Sequence, residues 1–102
     1  MAHQVVWLRA AVDDLDEIAA YIAKDSPRYA GIVTERVLEA ARDLAEFPHM
    51  GGIVPEWDDG ALRQRIVYSY RLIYRVTNDR VEVLTVIHGA RLLPGSIRSR
   101  DR

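Results

Sequence analysis

The chain has no cysteine, which excludes disulfides, a thiol nucleophile and thiolate metal sites, and suits a reducing compartment. Long apolar runs are missing too: none approaches the roughly 20 residues that span a bilayer. Residues 1–7 carry neither the basic start nor the long apolar core of a signal peptide, so a soluble cytoplasmic protein without membrane association is expected. His3 and His49 have no partners at metal-ligand spacing, and no metal site is expected. Gly51-Gly52 lacks the flanking residues of a phosphate-cradling loop, and Ser26, Ser69, Ser96 and Ser99 stand outside any nucleophile-elbow context. No cofactor is expected.

Lysine is nearly absent as well. Of the 14 basic residues 13 are arginine, and Lys24 stands alone. Arginine's planar fork suits bidentate recognition of phosphate and carboxylate better than an ammonium does. A genome-wide bias toward arginine would give the same count, so position says more. The net charge is only −1, yet residues 1–59 hold 5 basic and 12 acidic side chains, a balance of −7, whereas residues 60–102 hold 9 basic and 3 acidic, a balance of +6. Such asymmetry points to a polyanion or an acidic partner facing the basic half.

At 102 residues the chain suits one domain with one modest core. His3–Leu8, with Val5, Val6 and Trp7, predicts a short first strand. Val12, Leu15, Ile18, Ala19 and Ile22 fall on one helical face over Ala11–Lys24. Ser26 is a candidate N-cap and Pro27 suits the first helical position of a second helix, Pro27 to about Glu46, whose stripe is Ala30, Val33, Val37, Ala40, Ala41, Leu44 and Ala45. So short a turn predicts an antiparallel helical hairpin. Phe47-Pro48 stops it, and His49–Gly60 reads as an irregular loop that Trp57 pins to the body. Three strand patterns follow, Leu62–Tyr68, Tyr70–Val76 and Val81–Ile87, the last apolar on both sides and expected to be central. The fold predicted is α+β, in the order β-α-α-β-β-β, with the helical hairpin on one face of a small, mostly antiparallel sheet. Residues 1–93 form the domain, and residues 94–102 read as a basic, flexible tail.

Alternation along the strands places Leu62, Ile66 and Tyr68 with Tyr70, Leu72, Tyr74 and Val76 as the floor under the helices. Arg63, Arg65, Arg71 and Arg75 then share the open face, with Arg91 beyond the last strand. Ion pairs with the acidic helices would be an ordinary structural use for any one of them. His88, at a strand end, is the best general acid or base available, although histidines there are more often structural.

Asp25-Ser26-Pro27 between the helices, Phe47-Pro48-His49-Met50-Gly51, Tyr70-Arg71-Leu72-Ile73-Tyr74-Arg75-Val76 and Val86-Ile87-His88-Gly89-Ala90-Arg91 resemble the RelE/ParE superfamily of bacterial toxins, over roughly residues 4–93. The resemblance implies the toxin half of a type II toxin–antitoxin, plasmid-stabilisation-type module, masked by a cognate antitoxin in a hetero-oligomeric complex. Two targets follow from it: DNA gyrase for ParE-like members, and mRNA on the translating ribosome for RelE-like ones. Under the nuclease reading Arg71 and Arg91 would hold phosphate, His88 would move a proton and Glu56 is the nearest candidate base. Under either reading Arg63, Arg65, Arg71, Arg75 and Arg91 form a basic face for the target or the antitoxin. Arginine where nucleases keep lysine, and a tail without aromatics, favour the ParE-like branch and no catalysis. A non-toxic relative acting as a partner- or nucleic-acid-binding module is the third reading.

Overall fold

The second helix shows how the sequence sets its own boundaries. In the computed structural model, which describes residues 2–101, α2 runs Pro27–Asp43, and the Ser26 hydroxyl accepts the Tyr29 amide at 3.1 Å. That bond satisfies one of the orphan donors of the first turn. Helix α1, Arg9–Ala23, starts after Leu8 without any side-chain cap. It is held instead by packing, because Leu8, Ala11 and Leu15 are buried. Three strands follow the hairpin as expected, β3 (Leu62–Val67), β4 (Tyr70–Val76) and β5 (Arg80–His88), and β1 is Gln4–Trp7. A two-residue strand, β2 (Gly52–Ile53), adds itself to the edge within the segment that reads as irregular loop.

The sheet order is β1-β5-β4-β3-β2. β1 lies parallel to β5, from Gln4 opposite Arg80 to Trp7 opposite Val83, and every other pairing is antiparallel. β5 therefore sits inside the sheet, and its run Val81–Val86 is buried throughout. The core joins Leu15, Val33, Val37, Ala41 and Leu44 from the helical side to Leu72, Tyr74, Val81, Val83 and Val86. Each buried Leu or Val among them contributes about 1.5–3 kcal/mol by leaving water. A bulge interrupts the β4–β5 ladder: Ile73 faces Thr85 but Tyr74 faces Val83, leaving Leu84 as the extra residue. It falls where β1 ends, so β5 beyond Val83 has no strand on that side.

The register corrects the expected faces. Opposed residues share a face, and Arg65 opposes Leu72 while Arg63 opposes Tyr74. Both arginines are thus on the helical side, whereas Leu62 and Ile66 oppose Arg75 and Arg71 on the other. The physical reason is the position of β3 near the sheet edge, under the rim of α2, where an arginine stem packs on apolar surface while its head reaches polar groups. Tyr68, expected at the strand end, lies with Ser69 in the two-residue turn and has φ of 53°, a value that tight hairpins use.

The second face has its own cover. Val54, Leu62, Ile73 and Ile97 are buried there. Gly95–Ser99 forms a 3-10 turn, and the Arg75 guanidinium donates to the carbonyls of Arg98 and Arg100 at 3.1 and 3.0 Å. The segment expected to be a flexible tail is therefore docked by Ile97 and by Arg75; Arg102, its last residue, and Met1 lie outside the described residues.

Gly51 anchors the loop to the sheet. Its amide donates to the Tyr74 hydroxyl at 3.1 Å, and a Cβ there would stand 2.4 Å from the Gln64 carbonyl oxygen. Gly52 faces open space. Gly51→Ala should therefore lower unfolding free energy by about 1–3 kcal/mol, and Gly52→Ala by much less, measured by urea denaturation of the two variants side by side.

Candidate functional site

Four of the five arginines of the expected basic face are engaged by the protein itself. Arg63 donates to the carbonyls of Gly60 and Gly51, at 2.9 Å each, and of His49 at 3.3 Å, so it gathers the long loop around one side chain. Arg65 reaches up to α2, to the Ala40 carbonyl at 3.0 Å and the Asp43 carboxylate at 3.2 Å. Carbonyls near a helix C-terminus are natural partners for a cation. Arg75 is bound to Glu82 at 2.8 Å besides the carbonyls of the 3-10 turn. Arg71 is the most enclosed. Its Nη1 and Nη2 meet the two carboxylate oxygens of Glu56 at 2.8 Å each, and its Nε donates to Gln64 Oε1 at 2.8 Å. This is the bidentate fork that makes arginine the strong partner of a carboxylate.

Arg91 differs. Among the described residues its side chain makes no hydrogen bond or ion pair. It lines, with His88, a cavity of about 570 Å³ between α1, the free end of β5 and the C-terminal segment. Ile18, Tyr70 and Val86 contribute apolar surface, and Asp14, Glu17 and Arg100 contribute charge. Exposed Tyr21 and Leu92 also line it, Leu92 at 94% of its full exposure. Tyr70 packs edge-on against the His88 ring, 5.3 Å between centroids, and the Ala90 amide donates to His88 Nδ1 at 3.1 Å. Burial and the neighbouring Tyr29 and Tyr21 push the Tyr70 hydroxyl up from its ordinary pKa. It therefore stays a neutral donor.

The structure thus brings His88 and Arg91 together on one cavity, which Arg71 does not line. Tyr70 and His88 oppose each other on the helical face, whereas Arg71 opposes Ile66 and Ile87 on the other face. Glu56, the candidate base, is a poor one: the Arg71 hydrogen bond holds its carboxyl below the ordinary 4.5, although burial pulls the other way. Sequence reasoning missed Asp14, Tyr70 and Arg100 as cavity residues. Arg100 donates to Asp14 Oδ2 at 2.6 Å and to the Leu84 carbonyl at 2.8 Å, capping the edge that β1 leaves open. Only the tertiary fold unites residues so far apart in the chain; the one signal in the sequence was the basic character of the tail. His3, unpartnered in sequence, hydrogen-bonds the Thr77 carbonyl at 3.1 Å. No helix among the described residues is long and apolar enough to cross a membrane.

A helical hairpin on a mostly antiparallel five-stranded sheet, with one parallel edge strand, is the α+β architecture expected for the RelE/ParE superfamily. Comparison with known proteins narrows this. The model of the ParE toxin of the type II toxin–antitoxin system parDE matches residues 5–93. Y4kP of Sinorhizobium fredii is 37% identical over 93 residues, 89% of this chain and 93% of that protein. Toxin RelE2 of Caulobacter vibrioides is 36% identical over 90 residues, 87% of this chain and 98% of its own length. Among solved structures, the chromosomal ParDE system from P. aeruginosa superposes with a TM-score of 0.70 at 20% identity, covering 85% of this chain and 96% of that one. The chain belongs to the ParE toxin family of type II toxin–antitoxin systems.

The Glu56–Arg71 pair predicts an acid signature. Glu56 has a lower pKa folded than unfolded, so its contribution is complete above the ordinary value of 4.5 and is lost as pH falls through the lowered folded value. The stability gap between the wild type and Glu56→Gln, followed by urea unfolding, should narrow as pH drops below about 4.5. A gap that widens on acidification would contradict this assignment.

Proposed function

We propose that this protein is a ParE-like toxin that inhibits DNA gyrase by binding it, without catalysis, and that a cognate antitoxin neutralises it in the cytoplasm. One observation carries the choice of target: the groups a ribonuclease would need are not gathered at one point. RNA cleavage requires a base for the 2′-hydroxyl, an acid for the leaving oxygen and a cation at the phosphorane. Here Arg71 is taken up by Glu56 on both Nη atoms and by Gln64 on Nε, and it does not line the cavity that His88 and Arg91 share. A binding function needs no such assembly. The cavity offers an apolar floor, the exposed rim residues Tyr21 and Leu92, and Arg91, whose side chain has no ion pair among the described residues. Aromatic and arginine anchors of this kind dominate protein interfaces. An antitoxin segment with apolar and acidic side chains would fit the same cavity, its carboxylate against Arg91.

The rival reading is ribosome-dependent mRNA cleavage. It draws on His88 and Arg91 lining one cavity and on the relative named RelE2. Partner-free inducible expression separates the two. Gyrase-dependent DNA damage and filamentation with intact transcripts are expected; codon-phased mRNA cuts would reverse the assignment, and healthy growth with stable soluble protein would indicate a non-toxic binding module. Arg91→Ala should keep the fold and weaken growth inhibition, with the affinity for the target falling about tenfold, the equivalent of about 1.4 kcal/mol. Arg71→Ala is a poorer probe, because it strands the Glu56 carboxylate.

A further inference from the structure

The turn that follows β5 is tied down amide by amide. The Gly89 N–H donates to the Ser69 carbonyl at 2.7 Å, the Ala90 N–H to His88 Nδ1 at 3.1 Å, and the Arg91 N–H to the His88 carbonyl at 3.0 Å. Two of these acceptors are backbone oxygens and the third is a side chain. His88 thus stands at the first position of a four-residue turn, with its side chain accepting the amide two residues on. Asp, Asn and Ser commonly fill that role. A backbone amide can only donate, so Nδ1 is the unprotonated nitrogen and Nε2 carries the proton of the ring. Tyr70, directly across on β4, also holds the ring through its edge-on contact at 5.3 Å. Arg91 closes the same turn. Its exposed side chain makes no hydrogen bond or ion pair among the described residues, so the backbone of the turn is what directs it to the cavity it lines.

We propose that His88 is a positioning residue and not a proton carrier: its neutral ring closes the 88–91 turn and thereby sets Arg91 over the cavity. The proposal rests on the reading of Arg91 as a group that a partner meets, and it holds for either target. Protonation would place an N–H on Nδ1, facing the Ala90 N–H, and the contact would be lost. The new cation would also stand beside Arg91 in the same turn. The other charged groups on the cavity are Asp14 and Glu17 of α1 and Arg100 of the C-terminal segment, with the hydroxyls of Tyr21 and Tyr70 beside them. Two carboxylates and two guanidiniums thus surround the ring, and what acidification removes is the acceptor. Gly89 fits the same turn: a Cβ there would stand 3.2 Å from the Ser69 carbonyl oxygen, crowding the first of the three bonds. Substitution separates the two roles of the ring. The amide oxygen of Asn at position 88 can accept the Ala90 N–H at any pH but cannot carry a proton. Phe keeps a ring against Tyr70 and offers no acceptor.

The experiment combines nuclear magnetic resonance of the full ¹⁵N-labelled chain with growth inhibition on expression without a partner. The wild type should show the Nε2–H tautomer and a coupling across the hydrogen bond between the Ala90 nitrogen and His88 Nδ1. On lowering from about pH 8 to about pH 5, the range in which histidine changes charge, that coupling should vanish and the Ala90 amide should shift with the ring. In His88→Asn the Ala90 amide should stay protected from exchange without such a shift, and growth inhibition should stay close to that of the wild type. In His88→Phe the amide should exchange faster. At equal protein level, the inducer needed for half-maximal arrest should then rise about fivefold, the factor that one net hydrogen bond represents. On an Arg91→Ala background, His88→Phe should add nothing, because both changes act through one group. An Nδ1–H tautomer in the wild type would overturn the proposal. So would folded His88→Asn as inactive as His88→Phe, or His88→Phe as toxic as the wild type. If His88→Phe does not fold, the wild-type coupling and His88→Asn decide; collapse of His88→Asn, which can make the same bond, also counts against the proposal. Full growth inhibition by Arg91→Ala with the Ala90 coupling intact would instead strike the reading of Arg91, which tells that failure apart from a failure of the turn.

Discussion

A sheet with two buried faces needs two covers, and this chain has helices enough for only one. Arginine hydrogen bonding supplies the other. The loop 49–60 and the C-terminal 3-10 turn have little apolar surface of their own, chiefly Val54, Trp57 and Ile97. They are fastened by Arg63 to three carbonyls, by Arg71 to Glu56, by Arg75 to the carbonyls of Arg98 and Arg100, and by Arg98 to Asp59. Backbone carbonyls in a loop need partners once they leave water, and a guanidinium with five donors can serve several at once. A lysine in any of these places would satisfy fewer. The scarcity of lysine in the chain has here a structural counterpart.

The same pairing explains the charge split of the sequence. Arg65–Asp43, Arg71–Glu56, Arg98–Asp59 and Arg100–Asp14 each join the basic half to the acidic half. Much of the asymmetry between residues 1–59 and 60–102 is therefore met inside the fold. Among the described residues of the basic half, Arg91 over the His88 cavity, beside the exposed rim of Tyr21 and Leu92, is left without an ion pair. Specificity from one cation and an apolar surface suits recognition of a protein better than capture of a polyanion, whose affinity grows with the number of phosphates neutralised.

Elements were legible where local chemistry decides them. Ser26-Pro27, the apolar stripe of α2 and the continuous Val81–Ile87 run each pointed to the structure that forms. Face assignment was not legible for β3, because Leu62, Arg63, Gln64, Arg65 and Ile66 do not alternate against a single buried side; the edge position makes both faces partly polar. Nor was the docking of residues 95–101, which depends on Ile97 and on donors from Arg75 more than twenty residues earlier. Of the residues that line the cavity, His88 at the end of β5 and Arg91 just beyond it were marked in the sequence. Asp14, Tyr70 and Arg100 were not, since only the end of β1 and the bulge at Leu84 bring α1 and the C-terminal segment to that corner.

The most direct measurement is the salt dependence of binding between the purified protein and a nonspecific DNA duplex. If the arginines are held by the chain's own loops and carboxylates, few phosphates are neutralised, and a plot of log K against log salt has a slope of about −1 to −2. A slope of about −4 or steeper would mean that at least four basic side chains contact phosphate together. The arginines described here as fastenings would then form an open basic face, and the account would fail.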